Sequence, residues 1–108
     1  MAWTRLCSVA DLPPVGQTRL CEVAGKDGTV VKIALARTAT GLYALDDHCP
    51  HRSGPMSEGL LEGDRIACPW HQWVFNLATG ACVNIPGQKI MTYKVVEKEG
   101  VVEIDLGF

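Results

Sequence analysis

Glycine and proline interrupt this chain so often that long regular elements are excluded. The 108 residues include 11 glycines and 6 prolines, and no stretch of about 12 residues keeps the apolar period of an amphipathic helix. Between the interruptions lie short β-rich runs, with turn signals about every 8–12 residues. The pattern predicts an all-β fold, an antiparallel β-sandwich or barrel, in a single domain over residues 1–108.

The β-rich runs predict individual strands and one short helical turn. Ser8-Val9-Ala10-Asp11 has the S-x-x-D pattern of a capped single turn. The predicted strands are Trp3–Cys7, Thr18–Val23, Thr29–Ala36, Leu42–Leu45, Trp73–Phe75, Ile90–Glu97 and Val101–Leu106.

Charge and hydropathy exclude several classes of partner. Ten basic and 12 acidic side chains give a formal charge of −2. The chain therefore lacks the excess of positive charge that is typical of proteins that bind nucleic acid. No apolar run approaches the roughly 20 residues that span a bilayer, and Met1–Arg5 lacks the apolar core of a signal peptide. We therefore expect a cytoplasmic chain that binds neither nucleic acid nor membrane.

Two of the five cysteines belong to short Cys/His groups, and the other three do not. Cys7, Cys21 and Cys82 fall in or beside apolar stretches, and we interpret them as small buried hydrophobic residues. The two groups are Cys49-Pro50-His51 and Cys68-Pro69-Trp70-His71, separated by 16 residues. The separating segment is rich in glycine and turn residues, which predicts two loops able to bring the groups to one point.

Two thiolates and two imidazoles can bind metal in two ways. A structural zinc site is one possibility, which would make the chain a zinc-stabilised interaction module. Zinc modules usually pair cysteine with cysteine and histidine with histidine, whereas each loop here supplies one of each. That mixed order suits a two-metal cluster in which Cys49 and Cys68 hold one iron and His51 and His71 hold the other.

The two groups and their flanks resemble the Rieske-type [2Fe–2S] proteins. The resemblance extends to Gly54–Gly59 after the first group and Phe75–Ala81 after the second. It implies a Rieske-type β-fold with a small cluster-binding subdomain formed by two loops, at about residues 47–76. It also implies one [2Fe–2S] cluster per chain, with four ligands: Cys49, His51, Cys68 and His71.

Three positions separate the chain from the membrane-anchored members of that family. Gly54 and Trp70 stand where those proteins carry a disulfide, and Trp73 stands where their serine donates a hydrogen bond to a cluster sulfide. The resemblance therefore points to the soluble ferredoxin branch. Since fewer hydrogen bonds to sulfur stabilise the reduced state less, we predict a potential near the low end of the range of about −150 to +300 mV for this ligand set.

The resemblance implies an electron carrier and not an enzyme. A Rieske oxygenase needs a second iron held by two histidines and a carboxylate, and only His48 lies outside the two groups. No G-x-G-x-x-G fingerprint for a nicotinamide or flavin domain is present. The implied partners are a flavoprotein reductase as donor and a terminal oxygenase as acceptor. The alternative is the small Rieske subunit of an assimilatory NAD(P)H nitrite reductase, acting with its large subunit.

Acidic residues surround the first group and allow two interpretations. They form either a solvated surface or one that steers a basic partner. His48 fits no ligand position, and we expect it to face solvent or to support the ligands. The acidic residues are Asp46, Asp47, Glu58, Glu62 and Asp64.

Overall fold

The computed structural model describes residues 3–25, 28–49, 55–69 and 73–105. Within these ranges every regular element is a β-strand or a 3₁₀ turn, so the all-β prediction is confirmed. The 3₁₀ turns are Val9–Asp11 and Met56–Glu58. The strands are β1 (Trp3–Ser8), β2 (Gln17–Ala24), β3 (Val30–Thr38), β4 (Gly41–Asp46), β5 (Leu60–Glu62), β6 (Arg65–Ala67), β7 (Val74–Asn76), β8 (Thr92–Lys98) and β9 (Val101–Asp105).

The strands form one large and one small antiparallel sheet. The large sheet has the order β1-β9-β8-β4-β3-β2, and the small sheet has the order β5-β6-β7. The large sheet curls until its two outermost strands, β1 and β2, lie against each other. The result is a nearly closed barrel with the small sheet beside it. No helix in the described ranges is long and apolar enough to cross a membrane.

Strand β3 supplies side chains to two hydrophobic cores. Successive side chains of a strand point to opposite faces, so Ile33 and Leu35 enter one core while Ala34 and Ala36 enter the other. All four are fully buried, because the barrel covers one face of β3 and the small sheet covers the other. We call the core of Cys21, Val23, Ile33, Leu35, Ala44 and Ile104 the barrel core. We call the core of Ala34, Ala36, Leu45, Cys49, Met56, Ile66, Cys68, Phe75, Leu77 and Ile90 the inter-sheet core.

Hydrogen bonds attach the small sheet, and the 3₁₀ turn that precedes it, to the barrel. Asp64, in the turn between β5 and β6, accepts hydrogen bonds from the hydroxyls of Thr38 at 3.0 Å and Thr40 at 2.7 Å. Both threonines lie at the turn between β3 and β4. Thr18 of β2 donates a hydrogen bond to the carbonyl oxygen of Ser57 in the second 3₁₀ turn.

The predicted strands agree with the structure to within two residues at every described end. The predicted turn is also confirmed, since the Ser8 hydroxyl accepts a hydrogen bond from the Ala10 amide at 3.3 Å. The turn-rich segment between the Cys/His groups differs from its prediction. It contains the hairpin of β5 and β6, whose three-residue strands are too short to show a period-2 pattern.

Candidate metal centre

The structure buries Cys49 and Cys68 in the same core. Cys49 lies three residues after β4, and Cys68 directly follows β6. The two residues are 1% and 2% exposed, and both belong to the inter-sheet core. Two thiols that are 19 positions apart in the sequence are therefore brought into one apolar region, and they come from two separate loops as predicted.

Backbone contacts close the first loop at its base. His48 pairs with Pro55 in an isolated antiparallel bridge. Next to it, the Met56 amide donates a hydrogen bond to the carbonyl oxygen of Asp47 at 2.8 Å. These two contacts bracket residues 49–54, the segment that contains the first Cys/His group.

The Asp47 side chain supports this closure from inside the protein. It is 5% exposed, and its carboxylate accepts a hydrogen bond from the Ser57 amide at 2.6 Å. The Asp47 amide donates to the carbonyl oxygen of Lys32 in β3 at 3.0 Å. A buried carboxylate needs such donors, so Asp47 ties the loop to the second 3₁₀ turn and the barrel.

The acidic surface expected around the first group is therefore smaller than the sequence suggests. Asp47 is buried, so the interpretation of this residue as a surface charge is wrong. Asp64 is half-buried and accepts hydrogen bonds from two threonine hydroxyls. Glu58 and Glu62 are exposed and Asp46 is half-buried. His48 is exposed as expected, with its Nδ1 3.5 Å from a carboxylate oxygen of Asp46.

The second loop is closed in the same manner. The Cys68 amide donates a hydrogen bond to the carbonyl oxygen of Trp73 at 2.8 Å. This contact brackets residues 69–72, which contain the second histidine of the pattern. The Trp73 ring is partly buried against the inter-sheet core, with its centroid 6.4 Å from that of Phe75 and the planes tilted by 52°.

Two glycines allow close backbone packing, one of them next to Cys68. A Cβ at Gly59 would lie 2.5 Å from the carbonyl oxygen of Ala67, the residue before Cys68. Gly80 has a φ of +80°, and a Cβ there would lie 2.3 Å from the carbonyl oxygen of Ile90. Neither distance is possible for a real side chain, so both positions require glycine.

The structure places two of the four predicted ligands. His51 and His71 lie outside the described residues, as do Pro50, Gly54 and Trp70. Within the described ranges no three histidine, cysteine or acidic side chains meet in a group that could hold a metal ion. The two cysteines fit an iron–sulfur centre, because buried thiolates from separate loops suit iron as soft ligands.

Comparisons with known proteins identify the family of the chain. Residues 2–94 match the family described as the Rieske [2Fe-2S] domain. The ferredoxin CarAc of Metapseudomonas resinovorans is 32% identical over 103 residues, which cover 94% of this chain and 92% of CarAc.

Solved structures share the fold. A chain in the complex of reduced oxygenase and oxidised ferredoxin of carbazole 1,9a-dioxygenase superposes with a TM-score of 0.78 and 32% identity, covering 94% of this chain and 91% of that one. A protein described as the small subunit of an NADPH nitrite reductase superposes with a TM-score of 0.79. Its identity is 23%, over 96% of this chain and 98% of that one, so this second likeness is one of fold.

Proposed function

The chain belongs to the Rieske [2Fe-2S] domain family, and from that premise we propose that it carries single electrons from a flavoprotein reductase to a terminal oxygenase. The burial of Cys49 and Cys68 in one core is the observation that links this proposed function to particular residues. The chain is an electron carrier and not a catalyst, like the ferredoxin CarAc, whose length it nearly spans.

We propose Cys49, His51, Cys68 and His71 as the ligands of one [2Fe–2S] cluster. Such a centre accepts and releases one electron at a time, and its histidine ligands raise its potential above that of all-cysteine clusters. The described residues support the two cysteine assignments. The two histidine assignments rest on their positions in the family pattern, within the segments that the loop closures bracket.

The protein's own residues prepare the two thiols for this role. The inter-sheet core excludes water from Cys49 and Cys68, which lie among Met56, Ile66 and Phe75. Ligands that are already positioned by packing and hydrogen bonds need little rearrangement when the oxidation state changes. We infer that the hydrogen-bonded base of each loop holds the thiols in place.

The oxygenase placement is favoured over the nitrite reductase placement. The solved complex of an oxygenase with a ferredoxin includes a chain that is 32% identical to this one, whereas the likeness to the nitrite reductase subunit extends only to the fold. The cytoplasmic location, the single domain over residues 1–108 and the cluster-binding region at about 47–76 stay predictions from the sequence.

The cluster and its ligands are tested by spectroscopy and metal analysis. We expect the purified protein to contain two irons per chain, and its dithionite-reduced form to show an EPR signal of low average g. Cys49→Ser and His71→Ala should lose both iron and signal. Cys82→Ser is the matched control and should keep them, because Cys82 lies outside the two groups. Zinc without iron in the wild-type protein would overturn the assignment.

The place in the electron-transfer chain is tested by reconstitution. A flavoprotein reductase, this protein and a terminal oxygenase from a carbazole dioxygenase system are mixed with NADH and substrate. We expect hydroxylated product only when all three proteins are present. Product formation that is unchanged when this protein is omitted, or when Cys49→Ser replaces it, would contradict the carrier role.

A further inference from the structure

Strands β1 and β2 meet at the seam of the barrel. They are the two outermost strands of the six-stranded sheet, and they lie against each other. Within the described strands the backbone pairings run from β1 to β9 and from β2 to β3, and none joins β1 to β2. Side chains therefore hold this seam together.

Two cysteines face each other across the seam. Cys7 of β1 packs against the barrel core, and Cys21 of β2 is a member of it with 7% exposure. Each thiol lies close enough to the other to affect its pKa, and both residues are reduced. A bulge in β1 between Arg5 and Cys7 explains how both Leu6 and Cys7 contact the barrel core although they are consecutive.

We propose that Cys7 and Cys21 are a redox-active dithiol, which a low-molecular-weight disulfide converts into a disulfide bond that bridges β1 and β2. One thiol attacks the small disulfide and releases one small thiol, leaving a mixed disulfide on the protein. The second thiol then attacks that mixed disulfide and releases the other small thiol. Two protein thiols lose two electrons and two protons, and the small disulfide gains both.

The surroundings of the pair indicate which thiol reacts first. Cys7 is more exposed than Cys21, so the small disulfide reaches Cys7. Burial raises the pKa of both thiols, that of Cys21 to about 11, and thiol rather than thiolate predominates at neutral pH. The ion pair of Arg19 with Asp11 lies beside both thiols, and its opposite charges act on the pKa in opposite directions. The pair therefore reacts slowly with the small disulfide and stays reduced until this oxidant accumulates.

This dithiol is separate from the metal centre. Cys7 and Cys21 contact the barrel core, whereas Cys49 and Cys68 lie in the inter-sheet core. Oxidation of the pair therefore consumes no cluster ligand. A bond between residues 7 and 21 would tie the seam covalently and restrict the unfolded chain, which raises stability.

The test uses the iron-loaded protein under anaerobic conditions. It is incubated with oxidised glutathione, the remaining thiols are alkylated, and the chain is examined by intact mass and peptide mapping. We expect loss of two hydrogen atoms per chain, a linked peptide pair containing Cys7 and Cys21, and an unchanged visible spectrum. We also expect Tm to rise by about 5–15 °C, as is typical of a bridge closing a loop of this size.

Single variants identify the pair. Cys7→Ser and Cys21→Ser should lose the linked peptides and the gain in Tm, and the matched control Cys82→Ser should keep both. A wild-type protein that carries only a glutathione adduct on Cys7, or a disulfide that includes Cys82, would overturn the proposal. Peptide mapping of the wild type decides this even where a variant fails to fold, and it does so independently of electron transfer to any partner.

Discussion

At the scale of single residues, the sequence resemblance connects Trp73 to the redox potential. It implies that Trp73 stands where membrane-anchored members of the family have a serine that donates a hydrogen bond to a cluster sulfide. We expect Trp73→Ser to raise the potential by about 65–130 mV. A hydrogen bond to a charged acceptor contributes about 1.5–3 kcal/mol, and a one-electron couple moves by about 59 mV per tenfold change in its equilibrium constant. Protein-film voltammetry measures the shift.

The control for this substitution separates the effect of the added hydroxyl on the potential from the effect of losing the indole. Trp73→Phe removes the indole without supplying a donor, and it keeps an aromatic ring beside Phe75. Its potential should stay near that of the wild type. Equal shifts in Trp73→Ser and Trp73→Phe would show that exposure to water, and not the hydrogen bond, sets the potential.

Cys21 links the stability of the barrel to alkaline pH. Burial, and then the neighbouring charge of Cys7, raise the pKa of Cys21 from about 9.0 to about 11. Between these two values the unfolded thiol has released its proton while the folded one keeps it, so the free energy of unfolding falls as pH rises. We expect a loss of about 1–2 kcal/mol from this group across that window.

Urea titrations at a series of pH values measure this loss. Cys21→Val removes the titrating group but keeps an apolar side chain in the barrel core, so the decline above pH 9 should be shallower than in the wild type. Cys82→Ser should decline as steeply as the wild type. An identical decline in Cys21→Val and the wild type would assign the alkaline instability to other groups.

At the scale of elements, Asp64 joins the β5–β6 hairpin to the barrel. Its carboxylate accepts from Thr38 and Thr40, and Thr38 is 7% exposed. We expect Asp64→Ala to lower the free energy of unfolding by about 1–3 kcal/mol, because the hydroxyls of Thr38 and Thr40 would lose a carboxylate acceptor. Glu62→Ala, an exposed acidic residue of the same hairpin, should change it by less than about 0.5 kcal/mol.

A double-mutant cycle tests whether the effect of Asp64 comes from this contact. Thr38→Val removes the hydroxyl with little change in shape. The combined variant should lose less stability than the sum of the two single variants, since both break the same hydrogen bond. Strict additivity in denaturant unfolding would mean that Asp64 acts through something other than Thr38.

The elements also show which parts of the structure can be read from the sequence. Strands such as β2 and β3 carry their signal locally, in β-rich runs bounded by glycine, and the Cys/His spacing predicts the metal centre. Strands β5 and β6 carry no such signal, since they are defined by pairing with each other and with β7. Asp46 and Asp47 are adjacent and chemically identical, so the sequence does not show which of them is buried. Asp47 is the buried one, where the loop packs against β3.

At the scale of the whole molecule, the two cores share β3, and we expect them to differ in their dependence on metal. The inter-sheet core contains both proposed cysteine ligands, and the barrel core contains neither. Metal–thiolate bonds in such a site contribute to folding free energy. Removal of the cluster should therefore weaken one side of the molecule more than the other.

Hydrogen exchange followed by mass spectrometry measures this difference after the iron is removed with a chelator under reducing conditions. We expect amides of β5–β7 to lose protection by about tenfold to a thousandfold, which corresponds to about 1.4–4 kcal/mol of lost local stability. Amides at Ile33 and Ile104, in the barrel core, should keep most of theirs. The metal-free Cys49→Ser variant should reproduce the pattern without chelator. A uniform loss across both cores would show that the barrel cannot persist without the metal centre, and the division into two cores would then have no thermodynamic meaning.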